Sequence, residues 1–160
     1  MKTRITLILV AFFFSFNTSF AQQDEECMLN LTLMNDFYKS KKLDEAYEPF
    51  MAVRNKCPKF NYAIYAYGEK ILMNKAENST GEQKKAFLND VMKLWDEGLM
   101  HFPSKYSKGG VMQSKAQLMY DNKAGLGLND KQVYDAFDNL YKTDLENFTN
   151  PKSLYTYFSL

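Results

Sequence analysis

Few residues in this chain could do chemistry, and their spacing limits what that chemistry is. The 160 residues hold one histidine and two cysteines. His101 lies between Met100 and Phe102 at the end of an apolar-periodic stretch. A histidine there more often caps a helix terminus than serves as a base or a ligand. Cys27 and Cys57 form no Cys-x-x-Cys pair, so redox catalysis is unsupported. The chain has no Gly-x-Ser-x-Gly, phosphate loop or metal-ligand spacing. Gly125-Leu126-Gly127 is too short to cradle a phosphate, and Glu25, Glu26, Glu45 and Glu48 read as solvated helix charges. Two carboxylates across a groove could cleave a glycosidic bond. Glu69 is the acid that an exported, helical, glycan- or peptidoglycan-acting enzyme would use here. Against that alternative stands a chain with no catalytic residue, no cofactor and no metal, whose work is binding.

Positioning such groups falls to the chain beyond an N-terminal leader. Met1-Lys2-Thr3-Arg4 is basic, Ile5 to Phe14 is apolar, and Ser19-Phe20-Ala21 puts small residues three and one positions before a cut. This is the pattern of a secretory signal peptide over 1–21, cleaved between Ala21 and Gln22. As a membrane anchor, an apolar run of about 10 residues falls well short of the ~20 that span a bilayer, and no later stretch is apolar enough. Cys27 follows Asp24-Glu25-Glu26, which argues against a lipid anchor beside the leader. Removing the leader takes Lys2 and Arg4 from the 20 basic residues, leaving 18 against 19 acidic ones and a net charge near −1. That balance offers no global field for nucleic acid or an anionic membrane. Residues 22–160 fit one domain with a continuous core.

The segment 27–58 organises the rest. Leu29, Leu33 and Phe37 make one apolar stripe, and Leu31, Met34 and Tyr38 a second beside it. After the polar Lys41-Lys42-Leu43-Asp44, a second helix has Leu43, Ala46, Tyr47, Phe50, Val53 and Cys57 on one face and stops at Pro58. Pro49 inside it removes a hydrogen bond and should bend the axis. A helix apolar on two sides needs two neighbours, so hairpins should stack. About 15 residues separate each cysteine from the turn near Lys42. At 1.5 Å per residue, antiparallel helices of about 22 Å bring the two cysteines level. A Cys27–Cys57 disulfide is expected, in a chain bound for an oxidising compartment; a pair of buried free thiols is the other reading.

Further hairpins come after it. Ile64, Tyr67, Gly68 and Ile71 mark a helix within 60–74. Thr80-Gly81-Glu82-Gln83 reads as a capping box before a helix with Phe87, Leu88, Val91, Leu94, Trp95, Gly98, Leu99 and Phe102 on one side, ending at Pro103. Lys108-Gly109-Gly110 starts a helix running to about Tyr120, with Val111, Met112, Lys115, Ala116 and Met119 in its pattern; 121–129 reads as a loop. Asn129 to Gln132 is a cap for a helix with Val133, Ala136, Phe137, Leu140, Tyr141 and Leu145 inside. Asn150-Pro151 opens a last helix with Leu154, Tyr155 and Phe158 on one side.

The spacing of Leu33, Phe37, Ala46, Phe50, Val53 and Pro58 resembles the tetratricopeptide (TPR) repeat, a helix-turn-helix unit of about 34 residues. Trp95 and Gly98 stand at that family's aromatic and small positions, and Pro58 and Pro103 at its closing proline. Asn30 replaces its bulky aromatic and Met34 a small residue. The resemblance implies an all-α, right-handed α-solenoid of stacked helical hairpins, about 27–58, 59–103 and 104–150 with the start of a fourth at 151–160. It is similar to exported proteins of Gram-negative bacteria, periplasmic or outer-membrane-associated, that act as scaffolds for protein–protein contact. The family's first helices line a groove for a peptide or partner helix. Carried onto this chain, the groove positions are Asn35, Tyr38 and Lys39, then Tyr62, Tyr65 and Glu69, then Gln113, Gln117 and Tyr120; any of these tyrosines could instead pack on the adjacent hairpin. The greasy ending Ser153-Leu154-Tyr155-Thr156-Tyr157-Phe158-Ser159-Leu160 marks an N-terminal fragment of a longer array, or a short cap folded back on the last hairpin.

Overall fold

The computed structural model describes residues 24–160; the leader and its cleavage position between Ala21 and Gln22 lie outside the described residues. Helices carry the described chain, and no strand occurs among the described residues. They form two compact units, one ending at Phe60 and the other comprising Asn61–Leu160.

In the first unit a helix over 24–39 (α1) turns back through residues 40–42 into α2, Leu43–Lys56. Lys41 takes φ 60°, a left-handed turn that reverses the chain. Cys27 and Cys57 are bonded, with Cα atoms 6.2 Å apart, inside the usual range for a disulfide. Glu26 and Lys56 pair beside the bridge. Ala46, Phe50 and Val53 are buried as their spacing implies. α2 runs through Pro49, which leaves one carbonyl of the preceding turn without its helical donor.

The two stripes of α1 fare differently. Cys27, Leu31 and Met34 are buried, while Leu29 and Leu33 are exposed. The bridge fixes which side of α1 meets α2, and a residue two positions along lies about 200° around the helix. Leu29 and Leu33 are therefore carried off the face that the disulfide selects.

The second unit holds α3 (Ala63–Glu77), α4 (Gly81–His101), α5 (Lys108–Asp121), a single turn α6 (Lys123–Leu126), α7 (Asp130–Thr143), a 3-10 turn (Leu145–Asn147) and α8 (Pro151–Ser159). α3 and α4 make a close antiparallel hairpin; α4 packs on α5, α5 on α7, and α8 on both α5 and α7. Ile64, Tyr65, Ile71 and Leu72 from α3 are fully buried, as are Leu88, Val91 and Leu94 from α4, with Trp95 nearly so. Farther along, Ala116, Val133, Phe137, Leu140, Phe148 and Tyr157 form a shared core under α5, α7 and α8.

Several ends match local chemistry. Asn129 and Gln132 form a capping box, and Asn150 caps α8 with Pro151 in its first turn. The expected box at Thr80 does not form: Thr80 precedes α4, but its hydroxyl caps no amide. Gly81 stands at φ +55°, which swings the chain through the left-handed region where the cap would have to aim. The expected loop over 121–129 contains the turn α6, closed by Gly127 at φ 70°. Tyr141 and Leu145, expected inside, are exposed. α7 ends at Thr143, and after the 3-10 turn Phe148 takes the inward place, stacked on Phe137 with centroids 6.0 Å apart. In α8 the expected side is the wrong one: Tyr155 and Phe158 are exposed, Leu154 is half-buried, and Ser153, Thr156 and Tyr157 are buried. Polar ties select that side, through Ser153 Oγ donating to Gln117 (3.0 Å) and Tyr157 OH donating to Asp138 (3.0 Å).

Candidate functional site

A cleft of about 240 Å³ opens in the Asn61–Leu160 unit. α3 contributes Glu69 and Met73, α4 contributes Trp95, α5 contributes Gln113, Ser114, Gln117, Leu118 and Asp121, and the start of α8 contributes Asn150 and Ser153. A neighbouring hollow shares Glu69, Trp95, Gln113 and Ser114 and adds Lys105, Tyr106 and Ser107.

The walls are set by helix geometry and a few ties. Gln113, Gln117 and Asp121 recur every fourth residue, so they stand in a row on one face of α5. Gln113 Oε1 accepts from the Asn150 backbone N–H (3.1 Å), and Gln117 Oε1 accepts from Ser153 Oγ (3.0 Å). Gln117 Nε2 donates to Asp121 Oδ1 (3.0 Å), whose Oδ2 takes Lys152 (2.8 Å). These contacts fix the start of α8 against α5. On the opposite wall, Trp95 Nε1–H donates to Glu69 Oε2 (2.9 Å). Lys115, paired with Asp96 at 2.5 Å, braces α5 against α4 from outside.

The floor of the hollow depends on Gly98. A Cβ there would lie 2.7 Å from the Tyr106 ring, so only glycine lets that ring lie on α4. Tyr62 packs edge-on against both Tyr106 and Phe102, at 5.7 and 6.0 Å. Burial first, then the neighbouring Tyr62 and Glu69, pushes the Tyr106 phenol well above its ordinary pKa. It stays a neutral hydroxyl across the physiological range.

No family model, curated protein or solved structure matches this chain. The site therefore rests on its own geometry.

Of the nine groove positions, the structure brings Glu69, Gln113 and Gln117 together at one cleft. Tyr65 is a correction: it is fully buried against His101 and Phe102, with centroids 6.1 and 5.6 Å away. Its ring takes the inner face of α3 beside Ile64 and Leu72. Tyr62 is half-buried in the Tyr106–Phe102 cluster, and Tyr120 is 40% exposed off the lining. Asn35, Tyr38 and Lys39 belong to the first unit, where Lys39 is exposed and Tyr38 half-buried. Asn35 Oδ1 is buried there with no hydrogen-bond partner among the described residues.

Sequence reasoning did not place Asp121, Trp95, Asn150 or Ser153 at the site. Asp121 could have been found by extending the four-residue step beyond Gln117. Nothing local announces Asn150 and Ser153, which arrive from 29 or more positions along the chain. His101 ends α4 with its Nδ1 buried and unpartnered among the described residues. No group of three or more His, Cys, Asp and Glu side chains among them could hold a metal ion. What the cleft offers is recognition chemistry: carboxylates, primary amides, small hydroxyls and an indole.

Proposed function

We propose that this chain is an exported, TPR-like scaffold, non-catalytic, that holds an extended peptide or partner helix in the α3–α4–α5–α8 cleft, in the periplasm or at the outer membrane of a Gram-negative bacterium. One observation carries the reading: the row Gln113–Gln117–Asp121 on α5 shares an open cleft with Glu69 of α3 and Trp95 of α4. Side-chain amides and hydroxyls meet a peptide backbone's donors and acceptors.

Selection of a phage-displayed library of random linear peptides on the immobilised protein tests this. Binders should be enriched on the wild type and lost on Ser114→Trp, which fills the cleft while circular dichroism stays unchanged. Peptides that bind both proteins equally would place the groove elsewhere. Tyr65→Ala is no test, since that ring is core. The catalytic alternative predicts peptidoglycan turnover that Glu69→Gln abolishes; in the scaffold reading the wild type itself shows none.

Export is supported by the oxidised Cys27–Cys57 pair and by the leader pattern. N-terminal sequencing of the mature protein should begin at Gln22, and a chain that retains residues 1–21 would sink it. Among the described residues no helix is long and apolar enough to cross a membrane.

A further inference from the structure

We infer that the cleft receives a positively charged side chain, arginine above all, from an extended peptide, with Glu69 as its counter-charge; this rests on the peptide-binding reading above. Charge in the cleft is unmatched. Two carboxylates line it, Glu69 and Asp121. Asp121 is already answered on both oxygens, by Gln117 and by Lys152. Glu69 is half-buried, and its one hydrogen bond is the Trp95 indole N–H on Oε2. Oε1 has no partner among the described residues. The cations nearby do not answer it: Lys115 is bound to Asp96 and Lys152 to Asp121, and Lys105, which shares the adjoining hollow with Glu69, makes no ion pair with it.

A half-buried carboxylate with one neutral donor is poorly compensated, so a cation that enters beside it gains a charge-assisted hydrogen bond. The rest of the lining suits arginine. With its N–H engaged by Glu69, the nearly buried Trp95 shows the cleft only an edge, and the half-buried Met73, with the edge of Leu118, gives apolar contact for the methylene stem. A guanidinium also has donors to spare for amide oxygens, and it is less strongly hydrated than an ammonium. The volume fits one such side chain: 240 Å³ corresponds to about eight waters at roughly 30 Å³ each.

The test reuses the peptide library. Selected sequences should be rich in arginine and lysine. In synthetic copies, replacing the shared arginine by citrulline, its neutral isostere, should weaken binding to the wild type about tenfold. Binding is followed by the fluorescence of Trp95, the only tryptophan in the chain. On Glu69→Gln, whose amide oxygen can still accept the indole N–H, arginine and citrulline peptides should bind alike. Enrichment of neutral or acidic peptides that Ser114→Trp abolishes would overturn the cationic inference and leave the groove standing. An arginine preference that persists in Glu69→Gln would overturn the role of Glu69. No enrichment at all would remove both readings.

Discussion

Individual side chains here act mainly through what they exclude. Tyr157 is buried among Tyr134, Phe137, Tyr141 and Phe148, with ring centroids 5.5 to 6.3 Å away, and it donates to Asp138. Burial, then its hydrogen bonds to Tyr134 and Asp138, pushes its phenol well above the ordinary value. Asp138 is held in turn by Lys142, whose hydrogen bond lowers the carboxyl pKa. The raised phenol fixes the sign of the effect on stability. Below about pH 10 the folded and unfolded chains both keep the Tyr157 proton, and the stabilisation is fully present. Above that pH the unfolded chain releases its proton first, so stability falls as pH rises. Urea midpoints at about pH 9 and about pH 11 should fall more for the wild type than for Tyr157→Phe; equal falls would show that Tyr157 contributes nothing to alkaline unfolding. Tyr106, raised by burial beside Tyr62, should leave a residual slope in the variant.

Among elements, the α1–α2 hairpin shows how a covalent tie substitutes for surface. It is short, and its bridge joins residues 30 apart. Loop-closure reasoning gives such a bridge about 3–4 kcal/mol. Cys27→Ser with Cys57→Ser should lower unfolding stability by about that much, read by chemical denaturation without reductant, while the wild type in reductant shifts similarly. An unshifted midpoint would mean that packing of Ala46, Phe50 and Val53 already suffices. In the other unit, Gly109 does for α5 what Gly98 does for α4. A Cβ there would lie 2.4 Å from the Asp144 carboxylate, so glycine lets α5 start against the 3-10 turn. Helix existence was legible from period and punctuation, as at Pro58, Pro103 and the Asn129–Gln132 box. Helix sides were less so: Leu29 and Leu33 are as apolar and as regularly spaced as the buried Leu31 and Met34 set, and only the disulfide distinguishes them.

At the scale of the molecule, the Asn61–Leu160 unit is held where α5, α7, the 3-10 turn and α8 meet. Phe137 is fully buried there, stacked on Phe148 and beside Tyr157. Phe137→Ala should cost about 3–5 kcal/mol in thermal or urea unfolding, and a loss below about 1 kcal/mol would place the core elsewhere. Because α8 is tied to α5 through Gln113 and Gln117, that variant should also loosen one wall of the cleft. Local sequence was enough to show that the described chain is helical, where most helices begin and end, and that Cys27 and Cys57 stand level, because caps, prolines, apolar period and axial rise act within a few turns. Packing between distant elements chose which side of α8 turns inward, why Tyr65 is core and Glu69 is not, and how Asn150 and Ser153 reach the cleft. Those choices depend on a partner surface many residues away, and the chemistry of a single turn carries no record of it.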